Sequence, residues 1–273
     1  MTRRVKSIVL AVVAMVLVAA VGHAQFLRGG RATARRATAA DFDGAFNYCR
    51  VEYRGNRFGD GGSWSTDYPD ADINLSIRLA ELTKTRVSRR PSGEPNHLIV
   101  RLTDDELFQC PFLMMQEVGS FYVDDEEASR LRAHLLKGGF LWVDDFWGSY
   151  AWEVWASEIA KVLPPSEYPI VDVPADHPLF RAVYDLSDGV LQVPSINHWM
   201  GTGGDTSERG AESATVHVRG IFDDAGRLLV LMTHNTDISD SWEREGMDPR
   251  YFYTFSVPGY AVAMNVLVHA MTH

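Results

Sequence analysis

The chain has 273 residues, 46% of them apolar and 23% charged, an ordinary globular balance with room for one large or two small domains. Its formal net charge is −10; residues 1–40 hold seven Lys/Arg and no acid, so the remainder carries −17. A body that acidic lacks the basic patches that meet phosphates, which excludes nucleic acid as the partner while leaving metal ions and cationic ligands open.

The first element is a targeting segment. Arg3, Arg4 and Lys6 precede an unbroken apolar run from Ile8 to Val21, and Gly22-His23-Ala24 puts small residues where a signal peptidase needs them. Fourteen apolar residues are short for a membrane span, which takes about 20. The pattern predicts a signal peptide over 1–24, crossing the membrane only in transit, and a periplasmic or secreted mature protein; an uncleaved anchor is the alternative. Residues 25–41, rich in Gly, Ala and Arg, read as a flexible basic linker.

The folded body is expected over 42–273. Ala45–Tyr53 reads as a first strand, followed by a loop with Gly55, Gly59, Gly61 and Gly62 that fits neither a P-loop nor a dinucleotide fingerprint. Trp64, Asp67 and Tyr68 are its notable side chains. A helix is predicted over Pro69–Thr83, a strand over His97–Leu102, and a capped turn at Thr103-Asp-Asp-Glu. The apolar run Pro111–Gln116 has the pattern of a strand buried on both faces. Asp124-x-x-Glu127 caps a helix whose inner face carries Ala128, Leu131 and Leu135, ending at Gly138-Gly139.

Next comes the stretch on which the functional reading rests. Phe140–Val143 is a short apolar strand that stops at two adjacent carboxylates, Asp144 and Asp145, followed by Phe146 and Trp147. The carboxyl end of a central parallel strand is where open α/β sheets bind ligands. A helix capped at Ser149, a strand over Ile170–Val173 and the turn Asp176-His177-Pro178 follow, with His177 read as structural. Val216–Phe222 and Arg227–Thr233 flank Asp223-Asp-Ala-Gly226, which predicts an antiparallel hairpin. His234, Asn235, Asp237 and Asp240 follow its second strand, and an apolar terminal helix is expected over Ser256–Met271.

Several motifs in order carry a resemblance: residues 62–72, 101–108, Gly-Gly-Phe-Leu-Trp-Val-Asp-Asp-Phe-Trp-Gly (138–148), Asp-His-Pro-Leu-Phe (176–180), 218–224 and His-Asn-Thr-Asp (234–237). Over roughly 42–273 the chain resembles the bacterial family called domain of unknown function 4159. That family is similar to the class I glutamine amidotransferase-like superfamily. The resemblance implies a flavodoxin-like three-layer α/β sandwich, mostly parallel, with the hairpin near its C-terminal end. Glutaminases of that superfamily carry a nucleophilic Cys on a sharp turn after a central strand. Here the equivalent strand runs into Asp144-Asp145, and neither Cys49 nor Cys110 sits in such a turn, so a thiolate nucleophile is unsupported. The two cysteines either form one disulfide or stay as separate buried thiols.

Asp144, Asp145 and His234 are therefore the catalytic candidates, and these with Asp237 the candidate ligands of a divalent metal. Trp64, Asp67, Trp147, His198, Trp199 and Asp237 are the binding candidates, aromatics beside carboxylates being suited to glycan faces. Two functions are open. One is a non-catalytic ligand-binding or assembly module for a small-molecule, glycan or protein ligand. The other is a carboxylate- or metal-dependent hydrolase acting on a small or glycan-like substrate. One site is expected, lined by Trp64, Asp67, Asp144, Asp145, His198 and His234, with Asp145 contacting ligand or metal.

Overall fold

Nine strands punctuate the chain in the computed structural model, which describes residues 34–272. They are β1 (Tyr48–Val51), β2 (Arg54–Gly55), β3 (His97–Val100), β4 (Phe112–Gln116), β5 (Phe121–Tyr122), β6 (Phe140–Asp144), β7 (Ile170–Asp172), β8 (His217–Phe222) and β9 (Leu228–His234). The stretch expected to be a signal peptide and most of the expected linker lie outside the described residues. From Arg35 onward the linker stretch is docked: Arg36 bridges to Ile99 of β3 and pairs with Glu52, and Arg35 bonds Asn96 and Asp41.

Seven strands form one sheet in the order β3-β1-β4-β6-β9-β8-β7. The first five run parallel; β8 joins β9 antiparallel through the predicted hairpin, and β7 joins β8 antiparallel at the edge. Counted among themselves, the five parallel strands have the order 2-1-3-4-5, the flavodoxin-like arrangement. In that arrangement the order reverses between the first and third strands, here β1 and β4. The crossovers that leave on opposite sides of that point open a crevice at the carboxyl ends.

Alternation along the strands builds two cores. On one face Leu141 and Val143 of β6 pack with Leu131 and Leu135 of α2 (Asp125–Leu136) and with Trp155 and Ile159 of α3 (Gly148–Val162). On the other, Phe140 and Trp142 pack with Leu75 and Leu79 of α1 (Asp70–Leu82) and with Ala263 and Leu267 of the terminal helix Val257–Thr272. Among the described residues no helix is long and apolar enough to cross a membrane.

Local expectations fare unevenly. Asp124 forms the expected capping box with Glu127. Ser149 caps nothing: α3 already begins at Gly148, and the Ser149 hydroxyl donates to Glu212 at 3.0 Å. The turn after β3 is a 3-10 helix (Asp105–Gln109) preceded by Asp104, not by a capping Thr103. Cys49 and Cys110 form a disulfide that ties β1 to the segment entering β4.

Candidate functional site

The carboxyl edge of the parallel sheet carries four backbone exceptions. Asp67 (φ 61°), Glu117 (54°), Asp145 (56°) and Asn235 (62°) are the non-glycine residues with positive φ among the described residues. Glu117, Asp145 and Asn235 each follow the last residue of a strand, β4, β6 and β9; Asp67 lies in the loop returning from β1. Left-handed backbone at a non-glycine residue costs about 1–3 kcal/mol and persists only where the surroundings hold it. Here they do. The Glu117 amide donates to the Asp145 carbonyl at 3.0 Å, and the Asn235 amide to the Phe146 carbonyl at 3.0 Å, so the ladder continues past the strand ends.

Three of the edge's carboxylates converge. Asp67, Asp145 and Asp237 each offer an oxygen, and these oxygens all lie within 4.8 Å of one another; Asp67, Asp240 and Glu243 do the same. Either group has the residue types and spacing to hold a metal ion. The donors that fix the first group are neutral. Gln116 Nε2 donates to Asp67 Oδ2 at 3.0 Å, Trp147 Nε1 to Asp145 Oδ1 at 3.1 Å, and the Ser239 hydroxyl to Asp237 Oδ1 at 2.8 Å. Burial and mutual repulsion outweigh the nearby charges of Arg50 and Arg244, which act on Asp67. Burial, then the charges of Glu117, Asp67 and Asp144, push Asp145 well above the carboxylate range. Burial, then Asp145 and Asp67, do the same to Asp237. Burial and Glu243 raise Asp67 to about 7.

The neighbouring cation is already committed. Arg50 on β1 is fully buried, ion-paired to Asp72 of α1, and donates to the carbonyls of Trp64 at 3.1 Å and Thr66 at 2.9 Å and to the side chain of Gln116. It therefore holds the loop that presents Asp67, and it does so from the β1–β4 switch point. The Gly-rich loop closes the other side. A Cβ at Gly61 would stand 2.1 Å from Glu117 Oε2, and one at Gly59 2.4 Å from Ser120 Cα, so glycine lets this loop lie against the β4 exit. Beneath it Glu117 is raised to about 7, chiefly by burial.

Asp144 and Asp145 part as neighbours at a strand end should. Asp144 turns to the segment after β9, accepting from the Thr233 hydroxyl at 2.5 Å and the Ser239 amide at 2.9 Å. His234 follows Thr233 and takes the opposite face. Its ring packs on Phe146 (4.8 Å), Trp152 (5.3 Å) and His217 (5.7 Å), and it is in neither converging carboxylate group. His198 and Trp199 lie on a short helix (Ile196–Thr202), with Trp199 against Tyr251 and Phe255. They border the site indirectly: the Tyr251 hydroxyl donates to Asp240 Oδ2 at 3.0 Å. Trp64 contributes its carbonyl, and its ring leans on Tyr68. Of the six residues expected in one site, the structure groups the carboxylates of Asp67 and Asp145, and it adds the binding candidates Asp237 and Trp147; Arg50, Gln116, Glu117, Ser239 and Glu243 are not among the sequence candidates. Glu117 was findable, because it follows an apolar strand just as Asp145 does.

The chain belongs to the family described as Domain of unknown function (DUF4159). The family model matches residues 48–271, from the first residue of β1 almost to the end of the terminal helix. Every residue of the DUF4159 site named above falls inside the matched span. No curated protein matches this chain.

Proposed function

We propose that this DUF4159 protein is an exported, non-catalytic ligand-binding module whose ligand contact runs through a hard divalent cation held by Asp67, Asp145 and Asp237. One observation carries the reading: three acid side chains from separate parts of the chain converge within 4.8 Å with only neutral donors around them. The Arg50–Asp72 pair next to them is how this fold neutralises a buried acid that needs nothing further. All-oxygen ligation favours Ca²⁺, Mg²⁺ or Mn²⁺ over softer metals. Cation–oxygen distances of about 2.0–2.6 Å put ligand oxygens roughly 3–5 Å apart, the spacing found here. Gln116, Trp147 and Ser239 orient the ligands from outside, as second hydrogen-bonding partners of metal ligands do. Export is supported by the basic and apolar N-terminal pattern and by the disulfide, which belongs to oxidising compartments.

A second reading, a carboxylate- or metal-dependent hydrolase, is favoured by the same acids holding protons near neutral pH, as general acids do. The two separate experimentally. After chelation and dialysis, the mature chain should gain thermal stability from Ca²⁺, Mg²⁺ or Mn²⁺, and Asp237→Asn should lose that gain. Turnover of a glycoside or small ester that also depends on Asp145 moves the assignment to hydrolase; no response to any of the three cations removes the cation site.

A further inference from the structure

A cation held by Asp145 and Asp237 sits behind a cover. The two residues are 5% and 3% exposed, and behind them stand β4, β6 and β9, the fixed centre of the sheet. What admits a cation is therefore a covering segment, and two of them meet at this edge. One is the Gly-rich loop, residues 56–62, which lies on Glu117 beside Asp145. The other is the segment 203–213, which crosses the start of α3: a Cβ at Gly148 would stand 2.9 Å from Glu212 Oε1 and 3.6 Å from Arg209 Cγ. The charges of Glu208 and Arg209 both reach Glu117, so the second segment arrives over the same carboxylate that the first one covers.

The Gly-rich loop is firmly fixed at both ends and lightly held between them. At one end Arg54 and Gly55 pair with β5; at the other the buried Arg50 guanidinium holds the carbonyls of Trp64 and Thr66. Between these anchors Arg57 and Phe58 are exposed, so apolar burial does not hold the loop down. Its inner side is tied by the Asn56 amide to the Ser120 carbonyl at 2.6 Å, the Asp60 amide to the Gly119 carbonyl at 3.0 Å, and the Ser120 hydroxyl to the Gly62 carbonyl at 3.3 Å. Its outer side is tied by two side chains. The Tyr150 hydroxyl donates to the Phe58 carbonyl at 2.6 Å, and Arg209 Nη2 pairs with Asp60 Oδ1 at 2.9 Å. The second of these joins the two covering segments to each other. It is also the weaker kind of tie: its side chains are 42% and 32% exposed, and an ion pair in contact with water contributes little. Gly59 and Gly61 flank Asp60 and let the backbone turn on either side of it.

We infer that the Arg209–Asp60 pair is the latch of a lid: when it parts, the Gly-rich loop swings on its two anchors, and cations enter and leave the Asp67–Asp145–Asp237 group through the gap. The latch rests on the cation reading, so its test has two arms. Amide hydrogen exchange on the cation-free mature chain reads the loop alone. Arg209→Gln should speed exchange of the Asn56 and Asp60 amides about two- to fivefold, the worth of a partly exposed ion pair, and leave the Glu127 amide of the capping box unchanged. Stopped-flow mixing with Ca²⁺ reads the passage through tryptophan fluorescence, Trp147 being bonded to Asp145. Asp60→Asn and Arg209→Gln should each speed both association and release about two- to fivefold, leaving Kd within about twofold, and the double variant should be no faster than either alone. One substitution removes a negative charge and the other a positive one, so a purely electrostatic effect would move the association rate in opposite directions; that outcome overturns the latch. Unchanged exchange of both amides beside intact Ca²⁺ binding overturns the latch and spares the cation site. A parent chain that binds no Ca²⁺ overturns the passage together with the cation reading.

Discussion

Asp145 combines an unfavourable backbone, burial and several like-charged neighbours, Glu117, Asp67 and Asp144 foremost. A residue that costs stability in three ways at one position is one whose charge is needed. Asp145→Asn isolates the charge. Asparagine adopts left-handed backbone at least as readily as aspartate, and its Oδ1 keeps the acceptor for Trp147 Nε1. The cation-free variant should be more stable than the parent by roughly 1–3 kcal/mol, raising Tm by about 2–4 °C per kcal/mol. Calorimetry checks this; a less stable variant would mean that the carboxylate is a structural anchor. The same acids set a pH dependence. Asp67, Glu117 and Asp144 are raised to about 7 in the folded protein, chiefly by burial. Between the ordinary carboxylate range and about 7 the folded chain therefore binds more protons than the unfolded chain. The stability from these protons is complete below that window and is lost as pH rises through about 7. Thermal melts of the cation-free protein should fall between pH 5.5 and 8, and added Ca²⁺ should raise Tm more at pH 8 than at pH 5.5. Equal gains at both values would contradict this account.

At the scale of elements, the site depends on where strands stop. β4 and β6 pair in register from Phe112↔Phe140 to Gln116↔Asp144, so Glu117 and Asp145 leave the sheet side by side. The Gly-rich loop then lies on Glu117, and Gly61 shows why it is Gly-rich. Gly61 and Gly93 both have positive φ, +94° and +87°, yet only at Gly61 would a Cβ meet the Glu117 carboxylate. Both Ala variants carry the backbone strain; Gly61→Ala should lose at least about 1 kcal/mol more than Gly93→Ala, because the loop must also lift from the β4 exit. Chemical denaturation measures the difference, and equal losses would show that the loop does not rest on Glu117. The same scale shows what was readable from the chain. Apolar runs bounded by glycine and charge marked β4, β6, the hairpin and the helix capped at Asp124, because those signals are local. Arg50 was not readable: an arginine in an apolar strand gains its meaning from Asp72, 22 residues on, and from Gln116, 66 residues on. Nor was the separation of His234 from the carboxylates. A one-residue step along a strand reverses the face, and where a strand ends is the least certain feature of a sequence reading. The chain alone does not choose between a Cys49–Cys110 disulfide and two separate thiols, since proximity across β1 and β4 is a property of strand order.

On the scale of the whole molecule, a 2-1-3-4-5 parallel core puts its crevice between β1 and β4. Arg50 and Gln116 lie at that point, with the Asp67 loop tethered over it. The antiparallel extension β8–β7 widens the same edge and adds a cleft beside His217. A body of −17 raises the local concentration of cations around this edge, which suits a site that binds one. Export is the second whole-molecule claim: N-terminal sequencing of the secreted protein should read Gln25 first, whereas an intact Met1 in the membrane fraction would replace the signal peptide with an anchor. The most direct test of the central claim is isothermal titration of Ca²⁺ and Mn²⁺ into the chelator-treated mature chain, run beside Asp145→Asn and Asp237→Asn. The account predicts saturable binding in the parent, with a proton released as the raised carboxylates ionise, and at least about tenfold weaker binding in each variant. Absence of saturable binding in the parent, or affinities that the two substitutions leave unchanged, would contradict it.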